Sequence, residues 1–148
     1  MNDTRIVLSP TALGISQSEH TAMLEVREQF ASGVFRHDPE ADADKPNGFN
    51  MDYARATDCG TTCCIGGWMW MAMNRDRTTD YASAGSYVNS QRKRRLGFLF
   101  YPEFESDSEM HLSDITPGAA LKAIDSFLAT GDPDWISACG LHYSDTTL

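Results

Sequence analysis

The chain has 148 residues, with 12 Lys or Arg against 21 Asp or Glu, so its formal charge at pH 7 is −9. This length suits one domain with one core, and the acidity disfavours direct binding to nucleic acid, because affinity for phosphate comes from Lys and Arg. Neither a secretion signal nor an apolar run of the roughly 18 to 20 residues that cross a bilayer is visible. We expect a single cytoplasmic domain over residues 1–148, with flanking segments 1–15 and 136–148, no membrane contact and reduced thiols.

The first predicted element is a helix over residues 17–35. Ser16 and Glu19 have the spacing of a capping box, in which each side chain binds the backbone of the other residue. Apolar residues then recur at helical spacing on one face, namely Met23, Val26, Phe30 and Val34. The segment 36–48, with two prolines, a glycine and several acids, is predicted to be a loop.

The next predicted helix covers residues 62–73 and is almost free of polar side chains, which indicates burial on nearly every side. Thr61 or Thr62 is the expected N-cap. Gly66 and Gly67 destabilise a helix by up to about 1 kcal/mol each relative to alanine, which is tolerated where another backbone approaches closely. We expect a helix over 117–130 to cross at these glycines.

The carboxyl-terminal half contains two more helical patterns. The first ends near Gly97, with the cations Arg92 to Arg95 in its last turn, where they complement the helix dipole. The aromatic residues that follow, Phe98, Phe100, Tyr101 and Phe104, are assigned mainly to the core, with a self-association patch as the alternative. The second begins at the N-cap Thr116 and ends at Gly131. The predicted fold is therefore all-α, with about five helices around a buried central helix and room for one small hairpin.

Several motifs together resemble a family of small bacterial and phage proteins. They are "GFNMDY", "CGTTCCIGGW", "RRLGFLFYP" and "ITPGAALKAIDSFLATGDPDW", between residues 48 and 135. The family is similar in its C-G-T-x-x-C-x-x-G-W core and its closing helix with T-G-x-x-D-W. Cys63 departs from the pattern, since the family often has histidine or a small residue there. The resemblance implies a helical domain common in phage and mobile-element genomes and brings no established activity.

The cysteine cluster around "CGTTCC" allows an enzymatic interpretation. Cys64 lies at the start of its predicted helix, where the dipole lowers the pKa of a thiol. A thiol-dependent hydrolase or transferase also needs a histidine base, for which His111 and His142 are available. However, the motif fits no peptidase signature, and the structural interpretation, in which the cysteines are small buried apolar residues, is the one we favour.

Zinc is the other alternative for these residues. The four ligands of such a site are Cys59, Cys64, Cys139 and His142, which would make the chain a zinc-stapled structural module. Only the C-x-x-H pair in "CGLH" has a favoured ligand spacing, and a chain of this length needs no staple. We therefore expect no cofactor.

The acids are concentrated in the carboxyl-terminal third. Residues 103–148 contain nine carboxylates and one lysine, a local charge of 1 − 9 = −8. The residues that we expect to bind a partner are Glu103, Glu105, Asp107, Glu109, Asp132 and Asp134. Such a surface attracts a partner with a basic surface. The leading hypothesis is a non-enzymatic phage- or mobile-element-type interaction protein that binds and inhibits a host protein, such as a nucleic-acid-handling defence component.

Overall fold

The described part of the chain is mainly helical. The computed structural model describes residues 6–39, 47–51, 62–104 and 110–141. Seven α-helices lie within these ranges: α1 Pro10–Leu13, α2 Gln17–Ala31, α3 Ile65–Arg75, α4 Ala84–Ser90, α5 Gly97–Phe100, α6 Pro117–Thr130 and α7 Trp135–Ala138, with a 3₁₀ helix at Leu112–Asp114. None of the helices in these ranges has the length and apolarity to cross a membrane.

Helix α2 begins as the capping box predicts. The Ser16 hydroxyl accepts from the Glu19 amide at 3.1 Å, and the Glu19 carboxylate accepts from the Ser16 amide at 2.9 Å. The predicted end at residue 35 is wrong, because the helix ends at Ala31 and Gly33 adopts a left-handed φ of 78°. Val34 therefore leaves the helical face and is 42% exposed.

A small sheet separates α2 from α3 and corrects the all-α prediction. Its strands are β1 Arg36–His37, β2 Gly48–Phe49 and β3 Thr62–Cys63, which pair in parallel in the order β1-β2-β3. A hairpin would have been antiparallel. Asp38 follows β1, and its buried carboxylate accepts from the Thr62 hydroxyl of β3 and contacts Arg36. The side-chain amide of Asn50, which follows β2, donates to the Asp38 carbonyl at 3.0 Å. Thr62 is held by its contact with Asp38.

Helix α3 is buried on most sides, as predicted, but it begins later than residue 62. Its N-cap is Cys64, whose sulfur accepts from the Gly67 amide at 3.4 Å. Thr62, one of the two predicted N-caps, belongs to β3 instead, and Thr61, the other, lies outside the described residues.

Gly66 marks a helix crossing, although α6 is not the helix that crosses. A Cβ atom at Gly66 would lie 2.7 Å from the Val88 side chain of α4 and 2.9 Å from the Phe100 ring of α5. Helix α6 instead packs chiefly against α2 and α7. Arg27 of α2 donates to both carboxylate oxygens of Asp125 of α6, at 2.8 and 3.2 Å. The prediction that residues 117–130 cross at the glycine pair is therefore wrong.

The limits of α6 agree with the sequence. The Thr116 hydroxyl accepts from the Ala119 amide at 3.1 Å, Pro117 is the first helical residue, and Gly131 ends the helix with a φ of 87°. The turn after Gly131 brings the chain back onto α5, and a pocket forms between them.

Candidate functional site

The pocket lies where the turn between α6 and α7 meets the end of α5. It has a volume of about 160 Å³ and is open to solvent. The lining includes Phe98, Tyr101, Glu103, Asp132, Asp134 and Trp135. Pockets for drug-sized ligands occupy about 300–1,000 Å³, so this one is smaller than such pockets and has room for a group the size of one side chain.

An indole holds the two sides of the pocket together. Trp135 is buried, and its Nε1 donates to the carbonyl oxygens of Phe98 and Leu99, each at 3.2 Å. The backbone of α5 is thereby fixed to the start of α7. Phe98 itself lines the pocket and is 63% exposed. The pocket thus combines a rigid floor with an exposed aromatic ring at its edge.

Three of the six predicted partner-binding acids meet here. Glu103 and Asp132 are exposed, and one Asp132 carboxylate oxygen accepts from the Asp134 amide at 2.9 Å. Asp134 caps α7 by accepting from the Ser137 amide at 3.4 Å, with a left-handed φ of 48°. Glu105, Asp107 and Glu109 lie outside the described residues.

The electrostatics of the pocket follow from this grouping. No lysine, arginine or histidine of the described residues lines it, against three carboxylates. Like charges that converge on a cleft with aromatic walls produce a focused negative potential. The lining residues themselves are therefore negative, while the Arg92 guanidinium lies against Tyr101 in the pocket wall.

A run of four cations borders the pocket. Arg92, Lys93, Arg94 and Arg95 are all exposed and follow the end of α4 at Ser90, so the prediction that they occupy its last turn is wrong. The chain turns after α4, and Gly97 lies close to the carbonyl oxygens of residues 91 and 92. A Cβ atom at position 97 would lie within about 2.6 Å of both oxygens, so the turn requires glycine there.

Two of these cations contact the pocket's surroundings. The Arg92 guanidinium carbon lies 4.4 Å from the ring centre of Tyr101, which lines the pocket. Arg95 packs against the Cα of Gly14 and extends to Gly131, the residues that end α1 and α6. A guanidinium at this position complements the negative ends of both helices.

The environment of Cys64 differs from that of a thiol nucleophile. Its side chain is completely buried, and burial raises the pKa of the thiol to about 11, although the first amides of α3 oppose the shift. A reactive cysteine needs an accessible thiolate near neutral pH. His111 is exposed ahead of the 3₁₀ helix, and His142 lies outside the described residues.

The remaining cysteines are spread over separate environments. Cys139 is half-buried in a second pocket beside Asp114 and Lys122, and burial raises the pKa of its thiol. Cys63 is disulfide-bonded, so the expectation of reduced thiols is wrong for this residue, whereas Cys64 and Cys139 are free. Cys59, a predicted zinc ligand, lies outside the described residues. Across the ranges that the structure describes, no three His, Cys, Asp or Glu side chains are grouped to hold a metal ion.

Comparison of the chain with protein-family models, curated proteins and solved structures gives no match. The acids of the pocket are predictable from the sequence, whereas Phe98 and Trp135 were not predicted as parts of the same site. The available signal was the aromatic run "FLFYPEF" beside the run of cations.

Proposed function

We propose that the chain is a non-enzymatic interaction protein whose acidic pocket binds an arginine side chain in a basic segment of a partner protein. The observation that carries the proposal is the convergence of Glu103, Asp132 and Asp134 beside the exposed Phe98 ring. In line with the resemblance to phage proteins, the proposed partner is a host protein with a basic surface, of the class that handles nucleic acid in defence. Binding there would block that surface and inhibit the partner.

Arginine fits the pocket better than lysine does. Its planar guanidinium stacks on aromatic rings and forms paired hydrogen bonds with carboxylates, whereas an ammonium is a compact and strongly hydrated charge. The Arg92 contact with Tyr101 supports this choice, because it places a guanidinium on an aromatic wall of the same pocket.

The test is fluorescence anisotropy with a labelled peptide of alternating arginine and glycine, and with its lysine counterpart. We expect the arginine peptide to bind more tightly, and the binding of both to weaken as salt is raised. The double substitution Glu103→Lys and Asp132→Asn should lower affinity about tenfold, the effect of roughly 1.4 kcal/mol. Asparagine at 132 keeps a side-chain oxygen for the Asp134 amide, so the turn is preserved.

A matched control separates the pocket from net charge. Asn74→Lys with Asp80→Lys changes the charge by 1 + 2 = +3, as the pocket variant does by 2 + 1 = +3, so both have a charge of −9 + 3 = −6. Asn74 and Asp80 are exposed and do not line the pocket. The control should bind like the unaltered chain. An equal loss in both variants would mean that only overall charge matters, and the proposed site would be abandoned.

Identification of the partner follows from capture on the tagged protein in host lysate, at low and high salt. The pocket variant and the control are used in parallel. A protein retained by the control but lost with the pocket variant and at high salt is the expected result.

A further inference from the structure

The run Arg92 to Arg95 is a positive surface on a chain with a net charge of −9. Across the described ranges, none of these four cations forms an ion pair with a carboxylate, and the ion pairs there belong to Arg27, Arg36 and Arg75. Arg95 is held between the ends of two helices. Arg92 lies over the Tyr101 ring and donates to the Asn89 side chain, while Lys93 and Arg94 present their charge to solvent.

This positive surface and the acidic pocket lie side by side. Arg92 lies over Tyr101 of the pocket wall, and Arg95 reaches Gly131, the residue before Asp132. The run therefore contacts one lining residue of the pocket, Tyr101, and reaches the residue that precedes another, Asp132. One face of the molecule carries both charges, with the exposed Phe98 ring on the same face.

Such a face is complementary to itself. In a twofold-symmetric pair, a residue i that contacts j of the partner copy requires that j also contacts i. A surface with adjacent positive and negative parts therefore gains both attractive contacts when a second copy is rotated onto it. The Phe98 rings add apolar surface that is otherwise exposed to water.

We infer that this face binds a second copy of the chain, with the Arg92 to Arg94 run of each copy at the acidic pocket of the other. The inference rests on the proposed function, since the pocket takes a cationic side chain in both cases. The dimer competes with an external partner, so dilution of the protein exposes the pocket and concentration covers it.

Sedimentation equilibrium over a range of protein concentrations tests the pairing. The unaltered chain should pass from a mass of 16.4 kDa toward 2 × 16.4 = 32.8 kDa as concentration rises, and high salt should reverse the change. The variant Arg92→Glu with Lys93→Glu makes the whole face acidic and should stay monomeric. The variant Glu103→Lys with Asp132→Asn removes the negative partner and should also stay monomeric. The control Asn74→Lys with Asp80→Lys should dimerise normally.

An equimolar mixture of the two monomeric variants is the decisive sample. A mixed pair contains one unaltered contact and one contact with exchanged charges, so a dimer should form that neither variant forms alone. If circular dichroism shows that a reversal variant is unfolded, Arg92→Gln with Lys93→Gln takes its place as the monomeric form. A mixture that stays monomeric, or a dimer that survives either reversal, overturns the inference.

The same samples separate the two proposals. An unaltered chain that is monomeric at every concentration overturns the pairing, while the peptide test of the pocket stands on its own. The Arg92→Glu, Lys93→Glu variant is expected to be monomeric and to bind the arginine peptide more tightly than the unaltered chain does at high protein concentration. That result supports both the pairing and the proposed function. If that variant fails to bind the peptide although the unaltered chain dimerises, the pairing stands and the proposed function falls.

Discussion

The start of α3 and the turn after α6 carry the two most distinctive motifs of the sequence, and the fold treats them in opposite ways. At the first, Cys64 is completely buried, and Gly66 leaves no room for even one carbon atom. At the second, Asp132 and the neighbouring Phe98 ring are exposed at the edge of an open pocket. The residues that suggest chemistry in the sequence therefore pack the interior, and the turn after α6 presents charge to solvent. Substitutions in the two regions should affect stability and binding, respectively.

The largest expected effect lies in the interior and depends on pH. Because burial raises the pKa of Cys64 from 9.0 to about 11, the native state holds this proton more tightly than the unfolded state does. Its contribution to stability is complete below about pH 9 and is lost as pH rises through 11, a change of about 2–3 kcal/mol in the free energy of unfolding. Urea unfolding between about pH 8 and about pH 10.5 measures this decline.

Substitutions identify the group that causes the free energy of unfolding to fall at alkaline pH. Cys64→Ala should flatten this decline, whereas Cys139→Ala, at a half-buried thiol, should change it less. Tyr87 contributes in the same direction, since burial and the Glu19 carboxylate raise the pKa of its phenol, and Tyr87→Phe measures that part. An unchanged pH dependence in Cys64→Ala would show that this thiol is not enclosed as described.

The second-largest expected effect is on stability and lies at Gly66, where α3 packs closely against α4 and α5. Gly66→Ala should lower the free energy of unfolding by about 1–2 kcal/mol, because overpacking against Val88 and Phe100 outweighs the higher helix propensity of alanine. Gly118→Ala is the matched control, since the nearest atom to its Cβ is the Thr116 hydroxyl at 3.9 Å. It should be neutral or stabilising by up to about 1 kcal/mol. Equal results for the two variants would contradict the close approach at Gly66.

The smallest effect lies at the pocket and concerns binding alone. Phe98→Ala should leave the free energy of unfolding within about 0.5 kcal/mol of the unaltered value, because the ring is largely exposed. It should weaken arginine-peptide binding about two- to fivefold, as expected for an exposed cation–π contact of about 0.5–1 kcal/mol. Val34→Ala, at another exposed apolar residue, should alter neither quantity. A loss of stability without a loss of affinity would place Phe98 in the core.

The sequence predicts the parts of the fold that depend on neighbours along the chain. The caps of α2 and α6 follow from residues within one turn of each helix end. The strands are too short for a periodic pattern, and Thr62 joins one of them because its hydroxyl meets Asp38, 24 residues earlier. The glycine pair indicates a crossing, but only the folded chain shows that Val88 and Phe100 supply it.

The candidate site is only partly predictable, because some of its features depend on single residues and others on contacts between distant parts of the chain. Composition identifies the acidic region, since charge is a property of each residue. Glu103 and Asp132 line one pocket because the chain after α6 packs against α5. The hydrogen bonds from Trp135 to the α5 backbone hold these two segments together. No local pattern encodes contacts of that range.

The parallel sheet has a consequence for the order of folding. Its paired residues are separated by 48 − 36 = 12 and 62 − 48 = 14 positions, so each pairing closes a short loop, a step on the order of 10–100 ns with a modest entropic cost. The packing of α2 on α3 and α6 joins more distant parts of the chain and should limit the folding rate. We expect the three strands to join in quick succession once α2 and α3 have met, and to hold the start of α3 in place from then on.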